Sequence, residues 1–153
     1  MASRPIFSAS YRVYWSETDA ACWMHFSNYF RVCERTEEEF LARLGFTQDS
    51  HPGKRLIMPR VSAKCDYKSP LGPGDSYRVD ITGIIIGRSS LTYEYEIYNE
   101  TTNRLAAKCT IVTVAYDENL RGSVELPREL KEKLLAAGAR LRDEVNDSIK
   151  ATG

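Results

Sequence analysis

An α+β fold, with one long helix laid on a strongly curved antiparallel sheet, is what the sequence predicts, and three observations predict it. The first is a long run of helical period near the amino terminus: Phe26, Tyr29, Phe30, Cys33, Phe40, Leu41 and Leu44 recur at spacings of three and four. The second is a switch to period two. Tyr77, Val79 and Ile81 alternate with Arg78, Asp80 and Thr82, and Leu91, Tyr93, Tyr95 and Ile97 alternate with Thr92, Glu94 and Glu96. The third is the short spacing between these runs, which is that of antiparallel strands joined by turns.

Each element has its own signal. Residues 6–15 read as a strand, the following SETDAACWM as a loop without period, and 25–44 as a helix with Gly45 at its C-terminal cap. Thr36 sits on the apolar face of that helix, and Glu37, Glu38 and Glu39 cluster in its second half. Residues 46–58 are turn-rich and connect the helix to a strand at 60–68, closed by the turn Pro70–Asp75. Two alternating strands follow, and the turn Glu100–Asn103 leads into a last long strand at 104–116. Pro127 suits the first turn of a C-terminal helix over about 127–148, with Leu130, Leu134, Leu141 and Val145 on its apolar stripe. The predicted order is strand, long helix, four meandering strands, helix. A helix of about 20 residues is roughly 30 Å long, enough to lie along the whole concave face of such a sheet. The chain reads as one domain over 1–153, with its core at about 6–117.

Composition excludes several classes of function. The 153 residues carry 21 Lys and Arg against 21 Asp and Glu, so the formal net charge is zero, and a dedicated nucleic-acid binder would need a basic excess. No segment approaches the roughly 20 apolar residues that span a bilayer, and the first fifteen residues carry no signal-peptide pattern. The expected location is cytoplasmic, without membrane or nucleic-acid partners. Cys22, Cys33, Cys65 and Cys109 form no CxxC pair, and His25 and His51 lie far apart, so neither a metal site nor a disulfide framework is expected. Phosphate-cradling and nucleophile-elbow motifs are missing.

Chemistry concentrates in residues 14–30. Asp19 lies in a short loop running into the long helix, among Trp15, Trp23, Met24 and Phe26. A helix N-terminus offers unpaired N–H groups and a partial positive charge, suited to a developing oxyanion. A carboxylate beside such donors can attack an acyl carbon or activate a water. Loop aspartates also serve as turn or capping residues, and composition alone favours that reading.

The whole segment TDAACWMHFSNYFRVCE resembles the active-site segment of the 4-hydroxybenzoyl-CoA thioesterase family of hot-dog fold acyl-CoA thioesterases, which reads approximately T-D-x-x-G-I-V-H-F-x-N-Y-x-R-x-x-E. Thr18, Asp19, His25, Phe26, Asn28, Tyr29, Arg31 and Glu34 fall on matching positions. The resemblance extends through Gly87-Arg88-Ser89-Ser90-Leu91 and covers about residues 8–135. It implies hydrolysis of an acyl- or aroyl-CoA thioester to a carboxylate and free CoA, with no cofactor beyond the coenzyme A of the substrate. Asp19 is then nucleophile or general base, and the Phe26 backbone N–H polarises the thioester carbonyl. His25 either assists the carboxylate or caps the helix. The resemblance also implies homodimers, often doubled to homotetramers, with sites at the subunit interface. Arg88, Ser89 and Ser90 are then brought near the acyl group or the CoA arm by a second copy.

One departure stands in that segment: Cys22 replaces the family's glycine and Trp23 a small aliphatic residue. With Met24, these are the residues expected to shape the acyl pocket. Arg88, Lys54, Arg55, Arg60 and Lys64 are the candidate partners of CoA phosphates. Two other functions compete: a non-catalytic acyl-thioester binding module, and a hot-dog dehydratase. The second requires a histidine base with a carboxylate from another segment, and His51 lies in a turn-rich stretch without that setting.

Overall fold

The structure, a computed structural model, describes residues 4–46 and 57–151. Strand β1 (Phe7–Arg12) is followed by a single 3-10 turn at Trp15–Glu17 and by the long helix α1 (Ser27–Arg43). Strands β2 (Arg60–Tyr67), β3 (Ser76–Ile86), β4 (Ser90–Asn99) and β5 (Arg104–Val114) complete the main sheet, in the order β1-β3-β4-β5-β2 with every neighbour antiparallel.

Helix α1 buries Tyr29, Val32, Cys33, Thr36, Glu37 and Phe40, the i, i+3, i+4, i+7 pattern of one face. At 17 residues it is about 26 Å long. Against it the sheet presents Tyr77, Val79, Ile81, Tyr93, Tyr95, Ile97 and Ile111, all buried. The sheet bends around the helix at three register shifts, between Ile81 and Gly83, Arg60 and Ser62, and Ile97 and Tyr98. Gly83 sits at the first of these, where a Cβ would stand 2.7 Å from Glu94 Oε2 and the exposed glutamate side chain would have to shift.

Three expectations need correction. Only β3, β4 and β5 meander; β2 pairs with β5 at the far edge, and β1 takes the place beside β3. The link 68–75 carries Pro70 and Pro73 and is too long and too proline-rich for a tight hairpin. The single C-terminal helix is two. Helix α2 (Arg128–Ala137) stops at Gly138, whose φ of 116° is left-handed, and helix α3 (Arg142–Ala151) starts afresh. Between them Arg140–Leu141 runs parallel to Ile85–Ile86 of β3. The long strand expected to 116 ends at Val114, and Tyr116–Asp117 pairs instead with Gly122–Ser123 in a separate two-stranded ribbon.

No helix among the described residues is long and apolar enough to cross a membrane.

Candidate active site

The loop before α1 is closed by its own backbone. Thr18 and Met24 form an antiparallel bridge, Asp19 N–H donates to Trp23 O at 2.8 Å, and Cys22 N–H donates to Asp19 O at 2.9 Å. The last bond makes residues 19–22 a tight turn. Cys22 takes the left-handed conformation there, with φ of 61°, which a glycine adopts without strain. Met24 N–H donates to Leu71 O at 2.7 Å and seats the loop on the turn before β3, and His25 N–H donates to Glu17 O at 2.8 Å across the loop's base. Asn28 adds a side-chain bond to Glu17 O at 2.9 Å.

This turn orients the Asp19 carboxylate. Its Oδ1 accepts the N–H groups of Ala21 (2.8 Å) and Trp23 (3.3 Å), whereas Oδ2 has no bond to any described residue. Asp19 lines a cleft of ≈ 320 Å³ together with Trp23, Met24, Phe26, Tyr29, Tyr67 and the segment Lys68–Pro70. The cleft lies between the start of α1 and the end of β2.

The start of α1 is equally specific. Ser27 N–H donates to His25 Nδ1 at 3.3 Å, and Asn28 N–H donates to His25 O at 2.9 Å. The Phe26 N–H donates to none of the described residues, and Phe26 lines the cleft. Its carbonyl is held from the other side, since Tyr67 Oη donates to Phe26 O at 3.0 Å. The Tyr67 ring meets Tyr29 edge-on at 4.8 Å. Burial raises the Tyr29 hydroxyl to about 12 and pushes Tyr67 upward as well, so both phenols are neutral donors at physiological pH.

Of the residues singled out from sequence, the structure brings Asp19, Trp23, Met24 and Phe26 to one cleft. His25 is not among its lining. The ring is a cap, with Nδ1 facing Ser27 Oγ at 2.8 Å and no bond to Asp19. Cys22 is exposed and stands outside the lining that one chain provides. Arg88, Ser89 and Ser90 lie at the opposite end of β3 from the Asp19 loop. There Ser90 Oγ accepts from Arg142 Nη2 at 2.8 Å, Ser89 O from Ala115 N–H, and Arg88 O from Leu126 N–H. One chain therefore cannot join them to Asp19.

Among the cations weighed for phosphate binding, Arg60 is engaged with Glu37 at 2.7 Å and Lys64 faces Asp66 at 3.6 Å. Lys54, Arg55 and His51 lie outside the described residues. Among the described residues no group of three or more His, Cys, Asp and Glu is placed to hold a metal. Sequence reasoning missed Tyr67, Lys68, Ser69 and Pro70. They end one strand and open a proline turn, and neither period nor motif marks them.

Residues 13–134 match the thioesterase-like superfamily. The 1,4-dihydroxy-2-naphthoyl-CoA hydrolase of Synechococcus sp. (strain CC9605) is 32% identical over 133 residues, 83% of this chain and 88% of that protein. Among solved structures, a hypothetical protein of Aquifex aeolicus superposes with a TM-score of 0.76 at 30% identity, over 84% of this chain and 98% of that one. A 1,4-dihydroxy-2-naphthoyl-CoA thioesterase of Synechocystis superposes with a TM-score of 0.77 at 21% identity, over 84% and 95%, a likeness of fold.

Proposed function

The chain belongs to the thioesterase-like superfamily and is a thioester hydrolase of the hot-dog fold, and from that premise we propose that Asp19 carries the hydrolysis of an acyl-CoA whose acyl group is aromatic. The observation that carries this reading is the asymmetric carboxylate: Oδ1 is pinned by two loop N–H groups, while among the described residues neither Oδ2 nor the Phe26 N–H in the same cleft has a partner. The thioester carbonyl oxygen accepts the Phe26 N–H, where the α1 terminus favours developing negative charge. Asp19 Oδ2 attacks the carbonyl carbon, or removes a proton from a water that does so. With water as the nucleophile, the C–S bond then breaks and Asp19 passes the water's proton to the departing thiolate. If Asp19 is itself the nucleophile, coenzyme A leaves as the thiolate, and water then hydrolyses the acyl anhydride, which restores the carboxylate and supplies the thiolate's proton. No cofactor enters this route, since coenzyme A is part of the substrate.

The acyl preference rests on the walls. Trp23, Phe26, Tyr29 and Tyr67 give the cleft four aromatic rings, which favour offset or edge-on contacts with a flat aromatic acid. The name of the Synechococcus relative, a naphthoyl-CoA hydrolase, agrees with that choice. The protein acts in the cytoplasm in this reading.

A homodimer is the smallest unit of this proposal. Strand β2 is an edge with only Cys65 drawn inward, and it pairs with β5 alone among the described residues. Val61, Tyr67, Trp23 and Phe26 are exposed beside it. Such an edge calls for a partner or a cover, and a second copy of the chain is the symmetric solution. Arg88, Ser89 and Ser90 enter the site through that second copy, and doubling of the dimer gives the homotetramer.

Release of free thiol from a panel of aliphatic and aromatic acyl-CoAs tests the reaction. Aroyl-CoA hydrolysis is the expected result, and turnover of aliphatic thioesters alone overturns the acyl assignment. Light scattering at micromolar concentration tests the assembly, with a mass at least twice 17.4 kDa expected. An active monomer contradicts it.

A further inference from the structure

The catalytic cleft does not end at Ser69 and Pro70. These two residues also wall a second cleft of ≈ 260 Å³, completed by Thr102 and Arg104. The shared wall is firmly built. Lys68 and Ser69 N–H groups both donate to Ala106 O, at 2.7 and 3.2 Å, and Ser69 Oγ donates to Leu105 O at 2.8 Å. Buried Asn99 ties the far side. Its Nδ2 reaches Asp75 Oδ2 at 2.8 Å and Pro70 O at 3.4 Å, and its Oδ1 accepts the N–H groups of Thr101 and Thr102.

The chemistry changes along this trough. The first cleft is walled by aromatic rings, whereas Ser69, Pro70, Thr102 and Arg104 wall the second, with no aromatic ring and no carboxylate among them. Lys68 borders the first cleft and Arg104 the second, and neither has an ion pair among the described residues. Three cations of the neighbouring strands are engaged instead: Lys64 with Asp66, Lys108 with Glu96, and Arg78 with Asp80. Tyr67 stands opposite Ala107 in the β2–β5 ladder, so Arg104 lies three residues, about 10 Å along the strand, beyond the level of that ring. An anionic chain attached to the thioester sulfur would meet Lys68 first and Arg104 next.

We propose that this second cleft is the seat of the phosphorylated arm of coenzyme A, with Lys68 and Arg104 binding its phosphates across the Ser69–Pro70 floor. This rests on the CoA-thioester reading above and adds the residues that select the leaving group. The fixed floor matters because a preformed trough loses little freedom when the arm settles in it.

The test compares two thioesters of one aromatic acid, the CoA ester and the phosphate-free pantetheine ester, on the parent chain, on Arg104→Ala and on Lys68→Ala/Arg104→Ala. In the double variant the ratio of kcat/KM for CoA over pantetheine ester should fall roughly five- to tenfold, through KM, with a smaller fall for Arg104→Ala. Raising salt should depress the CoA ester on the parent chain and act less on the double variant. A ratio that stays put while the CoA ester is turned over overturns the subsite and leaves the thioesterase reading standing. Titration of CoA itself, by calorimetry, separates the two ideas in the other direction. Binding that weakens in Arg104→Ala keeps the subsite even if neither ester is hydrolysed. Binding indifferent to both residues removes it.

Discussion

Helix α1 meets two carboxylates, and the protein treats them oppositely. Asp19, just before the N-terminal end, accepts only backbone N–H groups among the described residues, and none of these residues bonds Oδ2 in the aromatic cleft. Glu37, almost three turns further along, is buried beneath Tyr93 and Tyr95 and clasped by Arg60 at 2.7 and 3.1 Å. Burial still outweighs that cation, and the Glu37 carboxyl sits above its ordinary value. On the proposed mechanism, the difference separates a reactive group in the loop before the helix from a scaffold group within it. One oxygen of Asp19 is spent on orientation, and the other faces the cleft. Both oxygens of Glu37 are spent on holding β2 to the helix.

The largest effect that sharpens this contrast is loss of turnover in Asp19→Asn. Hydrolysis should fall by at least ~10², the scale of a positioned catalytic base, with little change in Tm. Equal loss in Glu37→Gln would erase the distinction between the two acids. Next comes stability. Glu37→Ala strands the Arg60 guanidinium against a half-buried wall, and should cost about 2 kcal/mol, read as a lower midpoint in denaturant. Glu37→Gln keeps the shape and tests the charge. Because the folded value is raised, protonated Glu37 stabilises the protein fully below its ordinary value near 4.5. That stability is lost as pH rises through the folded value, and Glu37→Gln should flatten this part of a Tm-against-pH curve.

Tyr67→Phe removes the bond to Phe26 O and leaves the ring. A loss near 1 kcal/mol in stability is expected, with a fall of a few-fold in kcat because the helix start that carries the Phe26 N–H is less well fixed. An unaltered kcat would detach Tyr67 from the site. The smallest effect belongs to Cys22→Gly, which relieves a left-handed φ at an exposed residue outside the lining of the Asp19 cleft. A gain of about 0.5–1 kcal/mol should appear in the Tm, and all acyl-CoAs should shift by one common factor. A change in the preference between bulky and small acyl groups would put the thiol back in the pocket.

The same contrast explains what could be read from the sequence. The loop and the start of α1 were legible because their bonds are local. Asp19, Trp23, Met24 and Phe26 come together within eight residues, so spacing alone places them. Glu37 was not legible as a buried residue. Three consecutive glutamates read as a solvated face, and only Arg60, 23 positions away, turns the middle of the helix inward there. The placement of β2 was hidden for the same reason, since alternation identifies a strand and not its neighbour. The break at Gly138 was hidden differently. Leu130, Leu134, Leu141 and Val145 keep a helical stripe across it, and a left-handed glycine changes the path without changing that pattern.

The closure of the Asp19 loop on itself also bears on how such a protein diverges. The turn and bridge at 18–24 need no side chain from the sheet, so the carboxylate keeps its geometry while the walls around it change. Replacement of Tyr29 or Tyr67, or of Trp23 within the loop, alters what the cleft admits without re-aiming Oδ2. The orientation of the carboxylate and the outer walls of the cleft therefore sit on separable parts of the chain. A duplicated copy can drift to a new acyl thioester by repapering the cleft, and it need never pass through a form that has lost its reactive group.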